Sequence, residues 1–119
     1  MSQFHEPIEL LDEEALDFSR ALNSLKEEVE AIDWYHQRVV ATNNPELKAI
    51  LAHNRDEEIE HAVMTIEWLR RNMGTAWDEE LNTYLFTTGD ITKLESEAMG
   101  ENSSSSDSDN TSLKIGDLK

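Results

Sequence analysis

The sequence predicts an all-α chain: a long antiparallel two-helix hairpin plus a short C-terminal helix, completed as a four-helix bundle by a second copy. Three observations carry this expectation. Apolar residues recur at three- and four-residue steps over two long stretches, as amphipathic helices require. The run Thr42-Asn-Asn-Pro45 separates them with a break short enough that the helices must fold back on each other. The second stretch interrupts its own apolar stripe with Glu58 and His61, polar groups that a packed helix face does not carry without a reason.

In chain order, residues 1–6 are expected to fray, and Glu6-Pro7 opens the first helix, since proline is tolerated at the first helical position. Ile8, Leu11, Ala15, Phe18, Leu22, Leu25, Val29, Ile32 and Val39 then form one seam, with Asp12, Glu13 and Glu14 in early turns that suit the helix dipole. Asn44 can cap and Pro45 can begin the second helix, which runs to about Asn72, where Met73-Gly74 supplies a stop. A third, shorter helix spans Thr75 to Phe86 with Trp77, Leu81 and Leu85 on one face, and Asp90 to Glu95 forms a further turn or two. The helical domain is therefore residues 1–98. Residues 99–112 read as a disordered, acidic and serine-rich linker, because Gly100 to Ser112 offers nothing apolar to bury. Residues 113–119 end the chain with Leu113, Ile115 and Leu118, a short apolar segment on a tether that suits docking to another protein.

Composition narrows the chemistry. The chain of 119 residues has no cysteine, which removes disulfides, thiolate metal sites and thiol catalysis. A formal net charge of −16 argues against a nucleic-acid partner and favours cations near the surface. No apolar run approaches the roughly 20 residues that cross a bilayer, so no membrane association is expected. The first residues lack the basic start and apolar centre of a signal peptide, and a reducing cytoplasm is the expected compartment.

At about 100° per residue, Leu47, Leu51, Asn54, Glu58, His61, Ala62, Thr65 and Leu69 share one side of the second helix. On the first helix Glu28 stands about 60° from Leu25, at the border of the seam, with Tyr35 on the same flank. Glu27, Glu30 and Trp34 gather on the opposite face. Glu57 and Glu60 point away from the stripe, His53 lies off it, and His36 falls in the seam near the helix end. A lone Glu facing a Glu-x-x-His pair is half the ligand set of a di-iron carboxylate bundle, and a second copy about a twofold axis supplies the other half. Carboxylate oxygens and imidazole nitrogen suit iron, manganese or zinc.

Four stretches resemble one family. Glu27-Glu28-Val-Glu30-Ala-Ile-Asp-Trp34-Tyr35, Leu51-Ala-His-Asn-Arg-Asp-Glu-Glu-Ile-Glu-His61-Ala, and Glu67-Trp-Leu-Arg-Arg with Thr83-Tyr-Leu-Phe86 are similar to the encapsulated ferritins, from residue 5 to about residue 92. The resemblance implies a ferritin-like ferroxidase built at a subunit interface, with iron as cofactor (two per dimer interface), Fe(II) and O2 as substrates, and homodimers joined into an annular homodecamer. It assigns Glu28, Glu58 and His61 as iron ligands and catalytic residues. Glu27 and Glu30 become the carboxylates through which metal enters, Trp34 the neighbouring gate, and Tyr35 the residue beside the iron site. The ending Ser112-Leu-Lys-Ile-Gly-Asp-Leu-Lys119 resembles the peptide that directs cargo into encapsulin shells, which implies a place inside an encapsulin nanocompartment, where the mineral is stored. The chain departs from the family at His36, where relatives often carry an acid or amide, and upstream of Ser24. The residues by themselves leave a second reading open, a non-catalytic divalent-metal-binding helical protein.

Overall fold

The hairpin is assembled from two helices of nearly equal length whose starts are set by side-chain caps. The structure, a computed structural model, describes residues 4–104. Regular structure among the described residues is helical throughout: α1 (Glu13–Ala41), α2 (Pro45–Asn72), α3 (Thr75–Tyr84) and α4 (Leu94–Ser104), with 3-10 turns at Ile8–Leu10 and Ile91–Lys93.

The first helix starts later than the sequence predicts. Pro7 opens only a 3-10 turn, in which the Leu10 N–H donates to the Pro7 carbonyl at 3.0 Å. Leu11 and Asp12 are extended, and the Asp12 carboxylate accepts from the Ala15 N–H at 2.8 Å. An N-cap holds β-region backbone, so a helix cannot run through it. Asp12 therefore stands before the first turn, and Glu13 and Glu14 alone occupy it.

At the other end the Thr42 N–H closes α1 on the Arg38 carbonyl, and Asn44 Oδ1 accepts from the Leu47 N–H at 2.9 Å to start α2. Lys48 Nζ then reaches back to the Val39 carbonyl at the end of α1. The two helices are antiparallel, because their contacts pair rising with falling numbers: Phe18 with Trp68, Glu28 with His61, His36 with Arg55. Phe18 and Trp68 meet edge to face with ring centroids 6.0 Å apart, an arrangement aromatic quadrupoles favour.

The chain divides after Asn72 into two compact units. In the first, Ala62 and Leu69 are the buried side chains, with Leu69 fully enclosed. Both belong to the stripe expected on α2. Other apolar residues of the two helices are only half covered: Val29 in the α1 seam is 54% exposed and Met64 on α2 59%. Two helices cannot enclose a core between them, and the uncovered apolar edges follow from that.

The second unit begins at Met73. Gly74, at φ 111°, occupies a backbone conformation that side chains disfavour, and α3 begins just after it. That helix ends at Tyr84 rather than Phe86, since Leu85 is extended and Phe86 turns to φ 58°. Asp90 accepts from both the N–H and the hydroxyl of Thr92, which holds its carboxyl below the usual range and initiates the following turn. The fourth segment is more than the turn or two expected. It continues as α4 to Ser104, so helix covers residues 99–104 of the stretch read as linker. Leu94 is the buried residue of this unit among those described. The remainder of that stretch, 105–112, and the terminal segment 113–119 lie outside the described residues.

Candidate metal centre

Antiparallel packing brings the three expected ligands together. Glu28 comes from the middle of α1, and Glu58 and His61 from successive turns of α2. His61 Nδ1 lies 3.5 Å from Glu28 Oε2 and 3.6 Å from Glu58 Oε2. One ligand atom from each of the three falls within 4.8 Å of the others. The carboxylates are each 23% exposed and the imidazole 42%, so the cluster sits at the edge of the hairpin, half-withdrawn from water.

The groups of the cluster act on one another electrostatically. Glu28 and Glu58 approach so closely that a hydrogen bond between their carboxyl groups pushes the Glu28 carboxyl above its ordinary range, reinforced by partial burial and by the Glu58 charge. His61 acts in the opposite direction, by its charge and by hydrogen bonding. Two carboxylates held in contact share a proton or a metal ion. The donor set of two carboxylates and one imidazole, with no thiolate, fits iron, manganese or zinc. Beside the cluster runs an open groove of about 590 Å³, lined by Glu28 and His61 and walled by Asp17, Arg20, Met64 and Trp68.

The other expected site residues lie elsewhere. Glu27 and Glu30 are exposed on the outer side of α1, and Trp34 is 54% exposed on the same helix. Tyr35 is half-buried, with the Arg38 guanidinium 5.2 Å from its ring centroid, a cation–π contact. His36 does more than sit exposed at the helix end: its Nδ1 meets Arg55 Nη1 at 3.1 Å. A second ligand grouping escaped the sequence reading. Glu57 and Glu60, expected to be solvated, bring carboxylate oxygens within 4.8 Å of each other and of His61, on the more open side of α2. His53 Nε2 lies 3.4 Å from Glu57 Oε1. The signal was present as the spacing of Glu57, Glu60 and His61 at three and four residues, which places them one turn apart on a helix.

This geometry can be set beside known proteins. Residues 3–88 match the model of the EncFtn-like family. The chain belongs to this family of encapsulated ferritins. Family membership implies a ferritin-like, iron-related function. A "Ferritin-like protein" of Thermotoga maritima is 60% identical over 98 residues, covering 82% of this chain and 85% of that one. An "Encapsulated ferritin-like protein" of Rhodospirillum rubrum is 60% identical over 100 residues, covering 83% of this chain and 71% of that one. A crystal structure of a Nitrosomonas europaea protein superposes with a TM-score of 0.71 at 54% identity, over 76% of this chain and 99% of that one. Among the described residues no helix is long and apolar enough to cross a membrane.

Proposed function

We propose that the protein is a ferroxidase, which oxidises Fe(II) to Fe(III) with O2 at a di-iron site shared by two copies of the chain. The observation that carries the reading is the convergence of Glu28, Glu58 and His61 at the edge of an open groove. One chain brings three ligands, and a twofold partner seated in the groove brings three more. The same pairing covers the exposed Met64 and Trp68 and turns the hairpin into a four-helix bundle. Bound iron supplies the redox chemistry, each Fe(II) giving up one electron with O2 as the acceptor.

The chain's own residues hold and charge-balance that iron. Glu28 and Glu58 would hold the metal as carboxylates, and His61 would bind it through a neutral imidazole nitrogen, since metal ligands must be deprotonated. Glu27 and Glu30 form the acidic patch through which Fe(II) enters, with Trp34 beside them as the gate. Tyr35, about two turns along α1 from Glu28, would hydrogen-bond a group beside the iron site. Dimers join into an annular decamer, and residues 113–119 dock the assembly inside an encapsulin shell in the cytoplasm, where the ferric product accumulates. The name of the Rhodospirillum rubrum relative, an encapsulated ferritin-like protein, supports the shell association.

The test is stopped-flow absorbance after Fe(II) is mixed with the protein under air. Wild type should oxidise Fe(II) faster than buffer, and Glu28→Ala, Glu58→Ala and His61→Ala should each slow the reaction. Undiminished rates in all three overturn the assignment. Stoichiometric Fe(II) uptake without oxygen consumption would leave the non-catalytic metal-binding reading instead. Co-expression with a shell protein, with and without residues 113–119, tests the docking role, and equal encapsulation of both forms discards it.

A further inference from the structure

The hairpin holds a second polar contact between its helices, about two turns beyond Glu28 on α1 and about one turn before Glu58 on α2. Arg55 Nη1 lies 3.1 Å from His36 Nδ1. A guanidinium offers only donors and keeps its charge, so the imidazole nitrogen must be the acceptor. An imidazole accepts at Nδ1 only in its neutral form, with its proton on Nε2. The contact therefore selects one protonation state and one tautomer of His36.

The element packed against α1 is α2, and Arg55 is the charged group that reaches His36 from it. Asp56 faces the guanidinium instead, accepting from Arg55 Nε at 3.1 Å. Lys48, further along α2, is held on the Val39 carbonyl. On α1 itself Asp33 stands one turn earlier, and Arg38 lies over the ring of Tyr35. The Arg55 side chain is 25% exposed, so its charge is only partly hydrated.

We propose that His36 and Arg55 form a proton-sensitive latch, which pins α2 to α1 while His36 is neutral and releases it when His36 takes up a proton. A protonated imidazole is a donor at both nitrogens and stands as a cation in contact with a cation. The hydrogen bond is lost, and the guanidinium is left with Asp56. Because Arg55 precedes Glu58 by about one turn, the latch steadies the stretch of α2 that presents the carboxylate to Glu28. The inference does not depend on iron or on catalysis, so it stands or falls separately from the ferroxidase reading.

The experiment compares thermal unfolding of the full-length, metal-free protein with that of His36→Ala and His36→Asp. Unfolding is followed by far-UV circular dichroism at fixed protein concentration, from about pH 8 to about pH 5.5. Differences from His36→Ala cancel every titrating group common to the proteins, Glu28 included. Wild type should melt roughly 4 °C above His36→Ala at the alkaline end and lose that margin at the acid end. His36→Asp keeps a carboxylate facing Arg55 across the range and should hold its margin throughout. A wild-type margin that stays constant with pH overturns the latch, as does a His36→Asp margin that decays in parallel with it.

Discussion

Glu27 and Glu28 are chain neighbours with the same side chain, and the two faces of α1 give them different chemistry. The inner face turns Glu28 toward Glu58 and His61, withdraws it from water and pushes its carboxyl above the ordinary range. The outer face leaves Glu27 and Glu30 exposed beside Trp34. One residue step rotates a side chain by about 100°, which is enough to move it from a helix interface into solvent. The comparison teaches that acidic composition says little by itself. A carboxylate becomes a metal ligand where a facing helix holds a second carboxylate against it, and otherwise it shapes the field through which cations approach.

Substitutions on the two faces should accordingly differ in kind. The largest effect is expected inside. Removing an outer hydrogen-bond partner of a metal ligand typically costs 10- to about 100-fold, so Glu28→Ala, Glu58→Ala or His61→Ala should each lower the Fe(II) oxidation rate by more than about 100-fold. Comparable losses from Glu27→Ala would erase the distinction between the faces. Next in size is the apolar end of the inner stripe. Leu69 is fully enclosed, and Leu69→Ala should cost about 2–5 kcal/mol in a denaturant titration at fixed protein concentration.

On the outer face, if Glu27 and Glu30 serve cation delivery as proposed, Glu27→Gln combined with Glu30→Gln should slow oxidation within about tenfold. The deficit should shrink as Fe(II) is raised, and wild type should lose its advantage in high salt. A deficit that persists at saturating Fe(II) would place these residues in the chemistry itself. The smallest effect concerns protons. With its folded value raised above 4.5, Glu28 contributes stability that is fully present below that pH and is lost as pH rises through the raised value. Metal-free Glu28→Gln should therefore gain on wild type in melting temperature as pH increases through that window. Added Fe(II) should reverse the order by restoring wild type alone. A difference independent of pH would show that the two carboxyl groups do not share a proton.

Much of the hairpin was legible before any coordinates. The repeat from Phe18 to Val39 and the Asn44-Pro45 break defined two helices and their antiparallel return. The polar gap at Glu58 and His61 marked the site, and Glu28 was placed at the seam by its angle to Leu25. The start of α1 was not legible, because Asp12 can serve equally in a first turn or as a cap, and only its bond to the Ala15 N–H decides. The length of α4 was missed because Gly100 to Ser104 has no apolar periodicity to announce a helix. Glu57 and Glu60 looked solvated because their angles point away from the stripe, although they approach His61 along the same helix.

The sequence by itself determined that α1 and α2 are long helices, the turn between them, and which faces carry acid or apolar groups. These follow from local rules, namely the residues per turn, the caps and the conformations that proline and glycine allow. Tertiary structure alone decided which level of α1 stands opposite which level of α2. That register brings Glu28 to His61, sets Arg55 against His36 and leaves Met64 uncovered. Periodicity fixes the angle of a side chain about its own axis, but its axial neighbour across the interface depends on how whole side chains interlock.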